Sequence, residues 1–463
     1  MPNIAIIGAG ITGLSAAYAL KKRGHSVTLI EKNSIPGGVI QTISEKNCLI
    51  ELGPSTLQLN DSRILNLLQE LNLDNQIIPT SPGAQKRFIL KNNQLLPLPN
   101  SLKSFLTTPL FSIKAKLRLL KEPWIPKNIK NASPESLSQF FTRRLGQEIL
   151  DYAVDPFVSG IYAGDPNKLS IQHAFPKLYN LESTHGSLFK AAFKKQKNPH
   201  KLKTQTITFQ KGMATLPLKL AEHLKNDLHL NSTVTSISHT NNTWQLTWET
   251  QKSNQPSSPL SVSLSSTHSQ NFTHLILTLP ANQLSTLPFH NLSLLSQTLS
   301  PLQTIEYTPI AVLTQVFNRT AIKHPLDGFG MLLPSKENRN ILGTLFTSSM
   351  FPNQTSSDFH VLRTFIGGTR FPIISNLDKK TIESIVSQEL TKLLSISQEP
   401  IFSHVHQWNS AIPQYNLGYD QFFHTMENAE KLFPGLYIMG NFRTGISLPQ
   451  CILAGLNSTE LIN

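Results

Sequence analysis

"NIAIIGAGITGLSAAYALKKRGHSVTLIEKN", residues 3–33, decides the fold. Ile4 to Ile7 is a short apolar run suited to a buried parallel strand. Leu14, Ala17, Tyr18 and Leu20 continue a helical pattern, and Gly24 stands just past its end, where positive φ costs little. Val27 to Ile30 is the second strand, closed by Glu31. In the turn between first strand and helix, Gly8, Gly10 and Gly13 have the spacing G-x-G-x-x-G, with Ala9, Ile11 and Thr12 between them. Gly8 permits the tight turn, Gly10 lets a pyrophosphate approach the backbone, and Gly13 lets the helix lie close to its strand. The helix N-terminus then offers unpaired N–H groups to phosphates. Glu31 lies 23 residues after Gly8, where an acid accepts hydrogen bonds from ribose hydroxyls and disfavours a 2′-phosphate. The stretch is therefore read as a dinucleotide-binding βαβ unit.

The pattern changes along the chain. A helix is predicted from about Asp61 to Leu73, and mostly helical patterns run from Ser101 to about Leu150, with a helix start at Ser133–Pro134–Glu135. Residues 205–280 switch to strand-like runs, with a long loop or weak hairpin between Thr250 and Thr273. More strand-like segments follow over 305–370. After Gly435 the chain returns to a strand, "LYIMG", a glycine turn and a final helix. An α/β fold follows: a Rossmann-like nucleotide domain built from both chain ends, with a helical and an α+β substrate domain inserted. The expected divisions are 1–80, 205–285 and 406–463 for the nucleotide domain, 81–204 for the helical part, and 286–405 for the substrate domain.

Composition narrows the class. The chain has 463 residues, 39% of them hydrophobic, and a mean hydropathy of −0.15, as expected for a soluble globular protein. Ile4–Leu20 is short for a membrane span, carries three glycines and has no basic residue before it, so it is neither signal nor anchor. Two cysteines, Cys48 and Cys451, form no CxxC pair, which argues against a zinc ribbon or disulfide framework and suits a reducing cytoplasm. The net charge, 41 − 28 = +13, suits an anionic partner, and its densest cluster is Lys194, Lys195, Lys197, Lys201 and Lys203. That cluster is read first as a solvated loop and second as a membrane-surface contact. No basic helix with interleaved aromatics supports nucleic acid. No metal-ligand set or Ser/His/Asp arrangement emerges, and none of the fifteen histidines is assigned a role.

The second motif set names the cofactor. "EKNSIPGGVIQT" places Gly37 and Gly38 just beyond Glu31 and Lys32, and "IELGPST" follows with Gly53, Pro54, Ser55 and Thr56. This order resembles the FAD domain shared by amine oxidases, carotene desaturases and porphyrinogen oxidases. The far end, "LYIMGNFRTGISLPQCILAG", resembles the strand, loop and helix that cover the flavin in those proteins. Its helix N-terminus, near Ile446, Ser447 and Leu448 and after Gly440, would polarise the flavin ring by its dipole.

The central sequence is more specific. "DPFVSGIYAGDPNKLSI", "FPKLYNLESTHGSLFKAAF", "GMATLPLKLAEHL", "GFGMLLPSKENRNILGTLFTSSMFP" and "WNSAIPQYNLGY" resemble, in order, the oxygen-dependent protoporphyrinogen oxidases, a family that includes bacterial oxidases of coproporphyrinogen III. The resemblance implies an FAD enzyme of haem biosynthesis, with O2 as acceptor and H2O2 as product. Each two-electron step would remove a hydride from a bridge carbon and a proton from a pyrrole. An apolar slot with cations for the propionates would suffice.

The resemblance also implies residue roles. Arg87 in "KRFIL" matches the arginine that pairs with a propionate. Leu332, Leu345 and Phe365 match apolar positions sandwiching the macrocycle, and Gly160 and Gly164 lie in a substrate-facing loop whose carbonyl would accept the pyrrole proton. Val234 matches the strand that meets the adenine. Trp408 either walls the flavin or is an ordinary core tryptophan. Arg443, unusual near a flavin, either meets a further carboxylate or points to solvent. The implied partners are the porphyrinogen, O2, a membrane surface over residues 85–200, a second copy of the chain, and a ferrochelatase receiving the product. A cytoplasmic location, peripheral on the inner membrane face, goes with these. A flavin amine oxidase or desaturase shares the cofactor motifs but leaves residues 155–193 unexplained. A non-catalytic basic flavoprotein is the third reading.

Overall fold

The computed structural model describes residues 1–46, 48–128, 134–192, 199–251 and 265–462. Lys194, Lys195 and Lys197 lie outside the described residues, while Lys201 and Lys203 are exposed on a strand.

The opening stretch folds as its pattern dictates. β1 (Asn3–Ile7) is the centre of a five-stranded parallel sheet. On one side it pairs with β2 (Ser26–Ile30), Asn3 opposite Ser26 and Ile7 opposite Ile30, and Leu228–His229 extends that edge. On the other side lie His274–Leu277 and then Leu436–Ile438. Both faces are covered, so Ile4, Ala5 and Ile6 are fully buried, which is why this strand carries no polar alternation. Helix α1 (Ile11–Lys22) covers one face together with helix Leu448–Leu456. The two helices cross at Gly455, where a Cβ would come within 2.5 Å of the Thr12 carbonyl oxygen. An antiparallel sheet of Ser232–Thr240, Thr243–Gln251 and Ser265–Phe272 covers the other face through Trp244, Leu246, Trp248 and Phe272. The last of these strands replaces the expected loop or weak hairpin with eight paired residues, Trp244 opposite Phe272. Its apolar anchor is the terminal Phe272, so its own pattern is polar and gave no strand signal.

The second large sheet has seven strands, in the order Phe402–Pro413, Tyr307–Asn318, Phe359–Gly367, Ile341–Phe346, Gly330–Leu332, Arg87–Lys91 and Gln94–Pro97. One face is sealed by helix Lys379–Leu394, whose Ile382, Val386 and Leu390 join Phe88, Leu90, Ala311 and Leu313 in one core. The hairpin Arg87–Pro97 corrects the expectation that 81–204 is helical from its start. Arg87 pairs in parallel with Gly330, a contact no local pattern announces. Strand Lys201–Phe209 is a second departure within that segment, pairing with Leu57–Asp61 and Ile77–Pro79.

The intervening part is helical. Helix Leu137–Leu145 starts at Ser136, whose hydroxyl accepts from the Gln139 N–H while the Gln139 side chain accepts from the Ser136 N–H. This reciprocal cap displaces the expected start at Ser133, which lies outside the described residues. The helices are fastened by buried charges. Arg144, fully buried, donates to Glu182 Oε1 at 2.6 Å, to Glu122 Oε1 at 3.3 Å, and to the carbonyls of Ile125 and Gly186. Glu122, also fully buried, accepts from the Ser187 hydroxyl and the Leu188 N–H, so both charges are satisfied.

Candidate cofactor and substrate site

The glycine turn has a dinucleotide cradle's geometry. Gly8 sits at φ +105°, and a Cβ on Gly13 would lie 2.0 Å from the Gly8 carbonyl oxygen, so both positions demand glycine for packing reasons. Gly10 differs: its φ of −68° suits any residue, and a Cβ there would meet nothing within 4 Å. The space left open over Gly10 is where a pyrophosphate needs it. Gly10 also caps α1 without a side-chain bond, leaving helix N–H groups for an anion. Gly37 donates its N–H to the Ala9 carbonyl at 2.8 Å, and Gly38 lies against Gly10, so the double glycine folds over the turn. Lys32 is exposed beside them.

Glu31 is 8% exposed; Oε2 accepts the Ala9 N–H at 2.8 Å, and Oε1 accepts the Asn33 N–H and side-chain amide. Its backbone carbonyl takes the Ser232 N–H, which brings strand Ser232–Thr240, and Val234 two residues on, beside the acid. Val234 therefore stands at the same end of the cradle as Glu31.

The other end is built by the C-terminal segment. Ser447 caps helix Leu448–Leu456 in a reciprocal pair with Gln450, and Ile446 and Leu448 flank it. Gly440, at φ +153°, begins the loop leading to it. Two buried tyrosines hold that loop. The Tyr415 hydroxyl donates to the Asn441 carbonyl at 2.6 Å and accepts the Gly445 N–H at 3.0 Å, and the Tyr419 hydroxyl donates to the Phe442 carbonyl. Burial pushes both phenols above the ordinary tyrosine value, so they stay protonated donors. Nothing in the spacing of the tyrosines in "QYNLGY" tells what their hydroxyls reach. Arg443 turns away from this loop: it pairs with Glu430 through both terminal guanidinium nitrogens and donates to the Ile438 carbonyl, so the carboxylate it meets is the chain's own.

The face of the seven-stranded sheet opposite helix Lys379–Leu394 gathers the substrate candidates; much of it is covered, with Ile89, Val312, Thr314 and Arg363 buried. Cross-strand partners share a face, and one row reads Arg87, Gly330, Leu345, Arg363, Thr314, His404. The adjoining row reads Ile89, Leu332, Gly343, Phe365, Val312, His406, followed by Trp408 two residues on. Leu332, Leu345 and Phe365 are half-buried, unlike the sealed side chains behind them. Arg87 is exposed, with its guanidinium over the Phe329 ring at 5.0 Å; no carboxylate among the described residues pairs with it. Trp408 donates its indole N–H to the Leu52 carbonyl at 2.7 Å, one residue before Gly53, and so ties this sheet to the Gly53–Thr56 loop. A Cβ on Gly53 would lie 2.0 Å from the Val39 carbonyl oxygen, so that loop packs tightly behind the double glycine.

Gly160 and Gly164 are not on a loop together. Gly160 is exposed in the last turn of helix Asp155–Tyr162, where a Cβ would meet Leu332 Cδ2 at 2.8 Å. Gly164 is buried beyond the left-handed Ala163, against the Gln414 side chain. The helix is locked to the sheet by Arg370, which donates to Asp155, the Ser159 hydroxyl and the Leu333 carbonyl. Burial pushes the Arg370 guanidinium down and Asp155 holds it up, with the net direction downward. Gly160 and Leu332 thus meet; Gly164 stands apart.

The flavin containing amine oxidoreductase family matches residues 11–463. The chain belongs to that family. Its cofactor is FAD, and the cradle, the acid and the capped helix fit the two ends of that molecule. Among flavin amine oxidoreductases it is 33% identical to protoporphyrinogen oxidase 2, chloroplastic/mitochondrial, of Arabidopsis thaliana, across 99% of this chain and 93% of the relative. It is 28% identical to the coproporphyrinogen III oxidase of Bacillus subtilis, across 98% and 96%. A solved protein of Exiguobacterium sp. 255-15, assigned as a protoporphyrinogen oxidase, superposes with a TM-score of 0.78 at 23% identity over 100% of this chain and 99% of that one, and shows the fold.

Proposed function

We propose that this flavin oxidoreductase converts a porphyrinogen to the porphyrin, with O2 as acceptor and H2O2 as product. The observation that carries the reading is the group of half-buried Leu332, Leu345 and Phe365, in two adjoining rows of one sheet face, with Arg87, which no carboxylate of the described residues pairs, at the end of the Leu345 row. A flat apolar surface with a cation at its rim suits a tetrapyrrole bearing carboxylates. Full-length likeness to oxidases of both porphyrinogens supports it.

Bound FAD supplies the two-electron acceptor. The chain does the rest. Arg87 holds one propionate and fixes the ring's rotation, while Leu332, Leu345 and Phe365 hold its plane and exclude water. Gly160, lacking a side chain, lets Leu332 pack on the C-terminal turn of helix Asp155–Tyr162, and the ring lies beside that turn, where carbonyl oxygens carry partial negative charge. The Gly160 carbonyl oxygen accepts a hydrogen bond from a pyrrole N–H and so orients the ring, and the proton released at oxidation passes to solvent water. Glu31, Val234 and the cradle glycines bind the adenosine and pyrophosphate; Gly53–Thr56, Trp408 and Gly440–Leu448 bind the flavin end.

No helix of the described residues is long and apolar enough to cross a membrane. Ile113, Leu117 and Leu120 nevertheless form an exposed stripe on helix Ile113–Leu120, beside Leu102, Leu106 and Trp124, and exposed Lys103, Lys114, Lys121 and Lys127 rim them. An apolar stripe with a basic rim fits an anionic lipid surface. The helical part therefore rests on the membrane, where an apolar product can be passed on.

The test is aerobic incubation of the yellow holoprotein with each porphyrinogen in turn. Porphyrin fluorescence should rise with matching oxygen uptake and peroxide release. A flavin-loaded protein that leaves protoporphyrinogen IX and coproporphyrinogen III unchanged overturns the reading, and the ratio of the two rates names the substrate.

A further inference from the structure

Arg363 is the one charged residue of strand Phe359–Gly367, opposite Leu345 and two residues before Phe365. It is 1% exposed, and its Nε has no hydrogen-bond partner. It borders a small cavity shared with Glu51, Ser55, Leu345 and Thr347, of which the Thr347 hydroxyl is also buried without a partner. A buried guanidinium left this way is costly unless something fills the gap.

Across the cavity, Glu51 is 5% exposed and firmly held: its oxygens accept the Thr42 hydroxyl at 2.6 Å and the Met213 N–H at 2.8 Å. Among the described residues no hydrogen bond or ion pair joins it directly to Arg363, although both line the cavity and the carboxylate's charge acts on the guanidinium, so the two groups face each other across a gap. The free space is about 10 Å³, the size of one water, and it has the two to four polar partners that a buried water needs.

We infer that Arg363 is a positioning residue: one buried water joins its guanidinium to Glu51 and Thr347, and this bridged ion pair sets the distance between the flavin-side loop Gly53–Thr56 and the cleft-facing strand Phe359–Gly367. The water accepts from Arg363 Nε–H and donates to the Glu51 carboxylate and the Thr347 oxygen. Glu51 precedes Gly53 by two residues, and Trp408 grips Leu52 between them, so the pair and the indole clamp the same loop. The inference rests on FAD and on the assignment of Gly53–Thr56 to its flavin end, not on the identity of the substrate.

The test titrates full-length apoprotein with FAD, following flavin fluorescence quenching, in wild type, Arg363→Leu, Glu51→Gln and the double variant. Each single change strands one buried charge and should weaken FAD binding about tenfold or more; the double variant strands neither and should recover most of that loss. Losses that multiply in the double variant, or single variants with wild-type affinity, overturn the inference. If Arg363→Leu does not fold, Arg363→Lys and Glu51→Gln decide: the lysine should retain affinity and the glutamine should lose it, and the reverse pattern refutes the pair.

Discussion

Three glycines in one turn do three different jobs, and the structure gives the motif's division of labour its distances. Gly13 is required by a backbone oxygen 2.0 Å from where its Cβ would be, whereas Gly10 faces open space. Gly10→Ala should therefore leave apoprotein melting unchanged and weaken FAD binding by about tenfold, roughly 1.4 kcal/mol. Gly13→Ala should lower the apoprotein melting temperature itself, since the helix must move off its strand; calorimetry with and without FAD distinguishes the two. Arg87→Ala should raise KM for the porphyrinogen by about tenfold or more with little change in kcat, because the side chain binds a carboxylate remote from the reacting carbons; steady-state fluorescence assays check it. The spacing of these glycines and of Glu31 was legible because the motif is local. Arg363 was not: a single arginine in "HVLRTFIGG" reads as an outward-facing charge until the strand across from it is known. Arg443 misled for the same reason, its partner Glu430 lying thirteen residues back on a helix.

At the level of elements, the helical part adds a buried charge cluster to its apolar core of Leu110, Leu137, Phe140 and Leu150. Arg144 ties helix Leu137–Leu145 to the Glu122 turn and to helix Pro176–His185. Arg144→Ala leaves two buried carboxylates short of a partner and should cost about 3–5 kcal/mol, read by urea unfolding. The same cluster sets an acid limit. Burial pushes Glu182 up, but hydrogen bonds from Arg143 and Arg144 outweigh it and hold the carboxyl below its ordinary value of 4.5. A carboxyl depressed in the fold adds stability above that value and loses it as pH falls through the folded one. Melting temperature should fall steeply below about pH 4.5, and more shallowly in Arg144→Met, where Glu182 has lost a partner. Element types were readable wherever a strand or helix showed its own period, as β1, α1 and the final helix did. The Arg87–Pro97 hairpin was missed because its place in the sheet depends on Gly330, more than two hundred residues away. Ser265–Phe272 was missed because an edge strand with one apolar residue has no period to read.

For the whole molecule, membrane contact turns on helix Ile113–Leu120, where exposed apolar residues and exposed lysines occur together. Replacing Ile113 and Leu117 together with glutamate should abolish cosedimentation with vesicles containing anionic lipid, leaving turnover of a detergent-dispersed porphyrinogen near wild type. Vesicle binding equal to that of the unmodified protein would remove the membrane from the account. The five-stranded sheet carries a further consequence. Its strands come from residues 3–7, 26–30, 228–229, 274–277 and 436–438, and the crossing at Gly455 and Thr12 seals the cradle. No contiguous fragment holds every strand of that sheet, so pigment retention is a proofreading signal: a yellow preparation should report that the first and last hundred residues have found each other, and vitamin supply during expression should govern how many chains survive proteolysis.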